Sequence, residues 1–221
     1  MQKGILETDL LYCDHLGASP DDKRNISNFT VRDVRGTGLK NYIQNNAFSD
    51  EASRQMRTYL VRDNRTSELV GYFSLKAGLV SYNERDVPVL DEITGEEVID
   101  EQTGEKKMRR VFDTLPGIEL ANFAVNQTYI NTYPDLKGTG LVIFNNFILP
   151  IVMQISDLVG AKIIYIFALP IVELISRYEQ YGFLRLRQPI EAQLHSRLKP
   201  WYDDSCIFMF QPIEQEDETN L

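Results

Sequence analysis

The predicted order of elements between residues 116 and 183 constrains the fold more than any other part of the sequence. An extended segment at residues 118–125 leads through a polar loop to Lys137-Gly138-Thr139-Gly140. A long apolar helix is predicted from about residue 141 to residue 158, and a strand at residues 161–168 follows it. A strand, a glycine-containing loop, a helix and a second strand in this order predict a βαβ unit.

The two glycines that flank Thr139 predict an anion site at the start of the helix. Glycine lets the backbone approach a ligand closely or adopt a positive φ. The first N–H groups of a helix have no partner within the helix, so they point at whatever lies in front of it. A phosphate is the usual occupant of such a position.

These residues, in this order, resemble the GNAT superfamily of acyl-CoA-dependent N-acetyltransferases. The pyrophosphate loop of that family reads Gln/Arg-x-x-Gly-x-Gly/Ala, and residues 135–140 here read Asp-Leu-Lys-Gly-Thr-Gly. Both glycines match, whereas Asp135 replaces the leading Gln or Arg, so we expect Asp135 to point to solvent and Lys137 to supply the positive charge. A second family block, a short helix that ends in Tyr-x-x-x-Gly-Phe, matches residues 178–183. The resemblance covers roughly residues 69–210.

The resemblance implies an α/β fold with a GNAT-like mixed central β-sheet flanked by helices, in a single domain that spans residues 1–221. It implies acetyl-CoA as co-substrate and an amine-bearing acceptor that attacks directly in a ternary complex. A backbone N–H of a splayed strand near Ala124 and Val125 would stabilise the oxyanion. The implied cofactor-binding residues are Phe123, Ala124, Val125, Lys137, Gly138, Thr139, Gly140 and Leu141.

Two residues stand where the resemblance implies catalytic groups, and no metal is required. Glu119 lies six residues before Val125, the position of the base glutamate in histone-modifying GNATs, and would remove the amine proton through water. The alternative for Glu119 is an edge or surface glutamate, or one paired with an arginine. Tyr178 is in the position of the tyrosine that protonates the leaving thiolate, and its alternative is a core aromatic residue. Tyr181, at helical spacing from Tyr178, is the substitute donor.

The composition changes at residues 83–115, where charged and turn-forming residues dominate. Thr-Gly-Glu occurs at residues 94–96 and again at 103–105, and each suits a tight turn with glycine at positive φ. We expect a charged hairpin-like insertion between two central strands, either a small ribbon or a partly disordered loop. Its function is that of a lid or partner-docking arm, or it is a solvated insertion with no such role.

The rest of the chain predicts shorter segments around this core. Residues 1–30 are polar and mixed, and residues 17–22 predict a loop. Elsewhere we predict a turn and helix start at 36–38, a helix over about 39–55, strands at 57–62 and 69–82, a strand start at 184–186, a helix at 189–197, a strand at 205–211 and a disordered acidic tail at 213–221.

Composition limits the class of protein. With 221 residues, 43% of them hydrophobic, the chain suits one soluble domain. The net charge of −9 argues against a nucleic-acid partner, because binding to a phosphate backbone rests on clustered Lys and Arg. Cys13 and Cys206 lack metal or redox spacing, which favours a reducing compartment. The first residues lack a signal-peptide pattern, and polar residues within 141–159 favour a buried helix over a membrane span, so we expect a cytoplasmic protein.

Two other functions are compatible with the same features. The chain is alternatively a non-catalytic module that binds acyl-CoA for regulation or interaction. Or it is a toxin-like acetyltransferase that acts on a macromolecule such as charged tRNA, since the hairpin at 70–75 resembles that branch while the acidic charge opposes it. A homodimer through the apolar closing strand at 206–210 is a further expectation.

Overall fold

One mixed sheet of eight strands organises the part of the chain that the computed structural model describes, which is residues 6–134, 136, 138–195, 198 and 205–213. The order across the sheet is β1-β2-β3-β4-β5-β6-β8-β7. Strands β5 and β6 are parallel, and the other neighbours are antiparallel. The strands are β1 (Leu6–Glu7), β2 (Leu11–His15), β3 (Arg57–Asp63), β4 (Leu69–Pro88), β5 (Met108–Val125), β6 (Ile163–Ala168), β7 (Leu184–Arg185) and β8 (Ile207–Pro212).

Helices connect these strands, and one of them joins the parallel pair as the predicted βαβ unit requires. Single π-helical turns at Tyr42–Asn46 and Phe144–Ile148 link α2 to α3 and α5 to α6. One continuous helix, called here the long helix, therefore runs from Thr139 to Val159 between β5 and β6. The helices are α1 (Asp22–Ser27), α2 (Thr37–Asn41), α3 (Ala47–Ala52), α4 (Gln127–Thr132), α5 (Thr139–Ile143), α6 (Leu149–Val159), α7 (Val172–Gln180) and α8 (Gln188–His195).

Pro150 lies inside the long helix without ending it. Proline has no N–H to donate within the helix, and its ring clashes with the carbonyl four residues earlier. The π-helical turn stands immediately before it, and the Leu149 N–H bonds to the carbonyl of Phe144, five residues back. This wider turn accommodates the proline. By length and composition the helix is apolar enough to cross a membrane, and it packs on the sheet through fully buried residues such as Phe147 and Val152.

Side chains alternate between the two faces of the sheet, and each face has its own core. The first, called here the long-helix face, carries Val61, Phe73 and Leu120 together with the buried side of the long helix. On the opposite face there are two separate clusters. One packs Tyr72 against α1 to α3, and the other packs Val80 with α8 and the residues Ile163, Tyr165, Phe167, Leu194, Cys206 and Phe208.

A β-bulge lies at Ala121 in β5, and Ala124 and Val125, in the part of the strand expected to be splayed, pair with β4. Ser74 pairs with Asn122 and Leu75 pairs with Leu120, so Ala121 is the extra residue. The reason is that Leu120 and Phe123 both pack on the long-helix face, and an odd spacing on one face requires one additional residue.

The charged insertion continues the two central strands as a ribbon. Strands β4 and β5 stay paired from the sheet out to Pro88 and Met108. Beyond them two tight turns carry Gly95 and Gly104 at φ of 72° and 71°, as the repeated Thr-Gly-Glu predicts. The isolated bridges Leu90↔Glu97 and Ile99↔Lys106 close these turns. Of the two predicted alternatives, the structure therefore describes the ribbon.

The N-terminal region contains regular elements that the sequence did not indicate. Strand β2 pairs along the whole of Leu11–His15 with β3. Helix α1 is anchored by Asp22, which accepts a hydrogen bond from Arg62 at 2.6 Å and another from the Gly17 N–H at 2.7 Å. Both charged side chains are buried, so this pair fixes α1 on the sheet. Cys13 and Cys206 are buried free thiols.

The other predicted segments are confirmed with shifted ends, as the bounds above show. The helix start at residues 36–38, the helix that follows it, the hairpin of β3 and β4, and the closing strand are all present. The predicted tail lies outside the described residues apart from 213. Asp135 and Lys137 of the glycine loop also lie outside them, so the structure describes neither the expected solvent position of Asp135 nor the contacts of Lys137.

Candidate active site

An open wedge separates β5 from β6. The two strands pair only from Gly117–Ile163 to Glu119–Tyr165. Beyond Glu119, β5 stays with β4 as far as Val125, while β6 continues to Ala168 beside β8. The strands therefore diverge after Glu119, which stands at the apex of the wedge, and β5 presents an open edge on that side among the described residues.

The long helix begins at the mouth of this wedge. Gly138 has a φ of 75°, a left-handed conformation, which is one of the two roles predicted for the glycines of this loop. The Thr139 hydroxyl donates to the carbonyl of Leu136 at 3.2 Å, and the first helical bond runs from the Val142 N–H to the carbonyl of Gly138 at 3.1 Å. The N–H groups of the residues between, up to the exposed Leu141, therefore precede the helical ladder and are available to an anion.

Gly140 brings this helix start against β5 and α7. A methyl group on residue 140 would lie 2.7 Å from the Tyr181 hydroxyl oxygen, 3.8 Å from a methyl of Val125 and 3.9 Å from the ring of Phe123. The Tyr181 ring stacks on Phe144 with centroids 5.1 Å apart. Burial raises the pKa of Tyr181 against a smaller opposing effect of Arg177, so its hydroxyl stays protonated near neutral pH.

Tyr178 is buried in the core of the long-helix face, with 4% of its surface exposed. Its ring meets those of Tyr181 and Phe183 edge to face, with centroids 5.9 and 5.6 Å apart. The packing is that of a core aromatic residue, which was the alternative given for it. Its role as proton donor stays a prediction, and Tyr181 is the phenol that contacts the helix start.

Glu119 lies on the opposite face, in a row of three polar groups across the central strands. It pairs with Lys76 of β4 on one side and with Tyr165 of β6 on the other. The Lys76 Nζ is 3.5 Å from Glu119 Oε2, and the Tyr165 hydroxyl donates to the same oxygen at 3.3 Å. The Glu119 side chain is 14% exposed. Its cationic partner is therefore a lysine, where the sequence suggested an arginine as the alternative.

Tyr165 owes its position to Gly78. A methyl group on residue 78 would lie 1.9 Å from the Tyr165 hydroxyl oxygen, so only glycine leaves space for it. Burial, followed by the nearby Glu119 carboxylate, raises the pKa of Tyr165 far above its usual range. The phenol therefore remains protonated and acts as a fixed hydrogen-bond donor to Glu119.

A polar strip separates the two clusters of the opposite face. Between Tyr72 and Val80, alternation along β4 brings Ser74, Lys76 and Gly78 to this face. The Ser74 hydroxyl is 2.9 Å from that of Thr58, and both residues are fully buried. On β5 the strip continues with Asn122 and Glu119, so polar groups lead from α2 and α3 to the apex of the wedge.

A pocket beside the long helix does not coincide with the wedge. It has a volume of about 270 Å³ and lies at a different face of the long helix, the one with Thr139, Val142 and Asn146. The wedge is contacted by Gly140 and by Phe144 through Tyr181. The pocket and the wedge are thus separate hollows that share the helix start.

No protein-family model matches the sequence, and no curated protein matches it either. Solved structures do resemble it. A Tyr-to-Phe mutant of KacT has a TM-score of 0.59 and 14% identity over 93% of this chain and 96% of that chain. AtaTR bound with acetyl-CoA has a TM-score of 0.55 and 14% identity, over 93% of this chain and 95% of that chain. AtaT complexed with acetyl-methionyl-tRNAfMet has a TM-score of 0.57 and 15% identity, over 91% of this chain and 94% of that chain.

KacT and AtaT are GNAT-fold acetyltransferase toxins. The chain has the GNAT fold. At these identities the likeness concerns the fold, and it confirms the predicted mixed sheet flanked by helices.

The structure brings together some of the predicted cofactor-binding residues and separates others. Phe123 and Val125 meet Gly140 at the helix start. Ala124 belongs to the cluster on the opposite face, so only its backbone can reach the wedge. The sequence analysis did not identify Lys76 and Tyr165, because their proximity to Glu119 depends on strand register, which cannot be derived from the sequence.

Proposed function

We propose that the chain is an acetyl-CoA-dependent N-acetyltransferase. The observation that supports this most is the wedge between β5 and β6 with Gly138 and the start of the long helix at its mouth. The pyrophosphate of acetyl-CoA would bind the N–H groups of Thr139, Gly140 and Leu141, and the acyl-pantetheine arm would follow the open edge of β5. The likeness to GNAT-fold acetyltransferases supports the same assignment.

The thioester would lie at the apex, with Glu119 on one side of the sheet and Tyr178 on the other. The acceptor nitrogen attacks the thioester carbon, and a backbone N–H of the open edge of β5 stabilises the oxyanion. Glu119 takes the amine proton through water. The C–S bond then breaks, and the thiolate takes a proton from Tyr178, with Tyr181 as the substitute donor.

The acceptor that we favour is an amine on a macromolecule. AtaT complexed with acetyl-methionyl-tRNAfMet provides the precedent, and a structure of a KacTA–DNA complex exists as well. We therefore do not retain the expectation that a net charge of −9 argues against a nucleic-acid partner. A small amine is the second candidate, because the polar strip next to Glu119 has hydrogen-bond donors and acceptors that suit either kind of acceptor.

The first test is thermal unfolding with acetyl-CoA, free CoA and ATP. A ligand at about 100 times its Kd stabilises the fold by ~2.7 kcal/mol, which corresponds to roughly 5–10 °C for a chain of this size. We expect a shift with acetyl-CoA and with CoA, and none with ATP. The absence of any shift at millimolar acetyl-CoA would refute the cofactor and with it the enzyme.

The second test is transfer of radiolabelled acetyl groups to aminoacyl-tRNA and to small amines. Tyr178→Phe should lower kcat by ~10²-fold while acetyl-CoA binding is kept. Tyr82→Phe, on the exposed ribbon, is the matched control and should change nothing. Binding without transfer to any amine would favour the alternative of a non-catalytic acyl-CoA-binding module.

A further inference from the structure

Glu119 retains one unused hydrogen-bond acceptor next to a cation. Lys76 and Tyr165 both contact its Oε2 atom, and its Oε1 atom has no hydrogen-bond partner among the residues that the structure describes. The ammonium of Lys76 contacts only Glu119 within that same part of the chain, and its side chain is 45% exposed. Lys76 thus offers a donor, 3.5 Å from Glu119 Oε2, beside the open acceptor at Oε1.

We propose that Lys76 determines acceptor specificity, so that the site takes the α-amine of an aminoacyl group and rejects polyamines and other amines that lack an adjacent carbonyl. This rests on the proposed function, whose acceptor class it narrows. An aminoacyl group carries its amine and its carbonyl oxygen on adjacent carbon atoms. The amine donates to the water that Glu119 Oε1 accepts from, and the carbonyl oxygen accepts from Lys76.

Charge explains the rejection of polyamines. A polycation that approaches Glu119 must displace or stand beside the Lys76 ammonium, and like charges at this distance repel. An aminoacyl carbonyl instead gains a charge-assisted hydrogen bond from the same group. The lysine therefore raises the affinity for one acceptor class and lowers it for the other.

Asn122 extends the same recognition surface along β5. It lies on the face of Glu119, beyond the bulge at Ala121. Among the described residues its amide makes only a long contact of 3.8 Å from Nδ2 to the Met56 sulfur. Its donors and acceptor are thus available to the part of the acceptor that follows the aminoacyl carbonyl.

The test measures kcat/KM for a pool of aminoacyl-tRNA and for spermidine in the wild-type chain and in Lys76→Gln. We expect wild type to prefer aminoacyl-tRNA. Lys76→Gln should lose about 10- to 100-fold on aminoacyl-tRNA, through KM, while the rate with spermidine stays or rises. Lys76→Arg keeps the charge and should restore most of the preference.

Two controls separate this role from other effects of the lysine. Lys106→Gln removes an exposed lysine that pairs with Glu97 on the ribbon, and it should leave both acceptors unaffected. Inhibition by uncharged tRNA should have the same constant in wild type and in Lys76→Gln, because uncharged tRNA lacks the aminoacyl group but keeps the phosphates.

Three outcomes would overturn the inference while leaving acetyl transfer intact. They are a wild-type preference for spermidine, an equal loss on both acceptors in Lys76→Gln, and an equal weakening of uncharged tRNA, which would make Lys76 a phosphate contact. Failure of the wild-type chain to acetylate any amine is a different result. It refutes the proposed function, and the inference falls with it.

Discussion

The absence of a side chain at residue 78 confines Tyr165, and Gly78→Ala tests the consequence. The added methyl would lie 1.9 Å from the Tyr165 hydroxyl oxygen and 2.8 Å from its Cζ. Tyr165 is 1% exposed and packs against Phe167 and Phe208, so it cannot move without disturbing them. Overpacking of this kind costs ~1–3 kcal/mol. Gly-to-Ala substitution lowers the entropy of the unfolded chain, which offsets only about 0.4–1 kcal/mol.

The assay is urea unfolding at neutral pH, with Gly38→Ala as the matched control. Gly38 lies in α2, and a methyl there has no neighbour within 4 Å. Gly38→Ala should be neutral or stabilising by up to ~1 kcal/mol. Gly78→Ala should be destabilising by ~1–2 kcal/mol. Adding Tyr165→Phe removes the closest atom, so the double variant should be more stable than the two single effects predict.

Equal stability of Gly78→Ala and wild type would refute this reasoning. It would mean that the Tyr165 side chain can adopt another position, and that the missing side chain at residue 78 is not what keeps the Tyr165 hydroxyl next to Glu119. An additive double variant would lead to the same conclusion, because the two sites would then not be coupled.

Three other perturbations follow from the same structure. Burial alone would raise the pKa of Asp63, but hydrogen bonds from the Tyr129 hydroxyl and two backbone N–H groups hold it at about 2. The ionised form therefore stabilises the fold above pH ~4. This contribution is lost as the pH falls toward 2, so the ~1.5–3 kcal/mol cost of Tyr129→Phe at pH 6 should shrink on acidification, as urea unfolding would show. Gly140→Ala should weaken acetyl-CoA binding, measured by calorimetry, at least tenfold, or by about 1.4 kcal/mol, because the methyl meets the Tyr181 hydroxyl at 2.7 Å. Tyr181→Phe should relieve part of this loss. An unchanged affinity of Gly140→Ala for acetyl-CoA would contradict the prediction. Arg62→Ala leaves a buried carboxylate unpaired and should cost ~3–5 kcal/mol of unfolding free energy, and a cost below ~1 kcal/mol would show that the pair is dispensable.

The sequence by itself determined the elements whose signal is local. Glycines on both sides of Thr139, a long apolar run and a β-branched strand specify the βαβ unit, because backbone conformation and hydrophobic periodicity are set by neighbouring residues. The repeated Thr-Gly-Glu likewise specified the turns at the tip of the ribbon.

Only the tertiary structure decided which groups meet across strands and between elements. Lys76, Glu119 and Tyr165 are distant in sequence, and their row depends on the register of two strand pairs, in which a shift of one residue would turn each side chain to the other face. Strand β2 and helix α1 were missed because their stability comes from pairing with β3 and from the buried Asp22–Arg62 contact. The wedge itself exists only because β5 follows β4 while β6 follows β8, and no single segment of the chain carries that divergence.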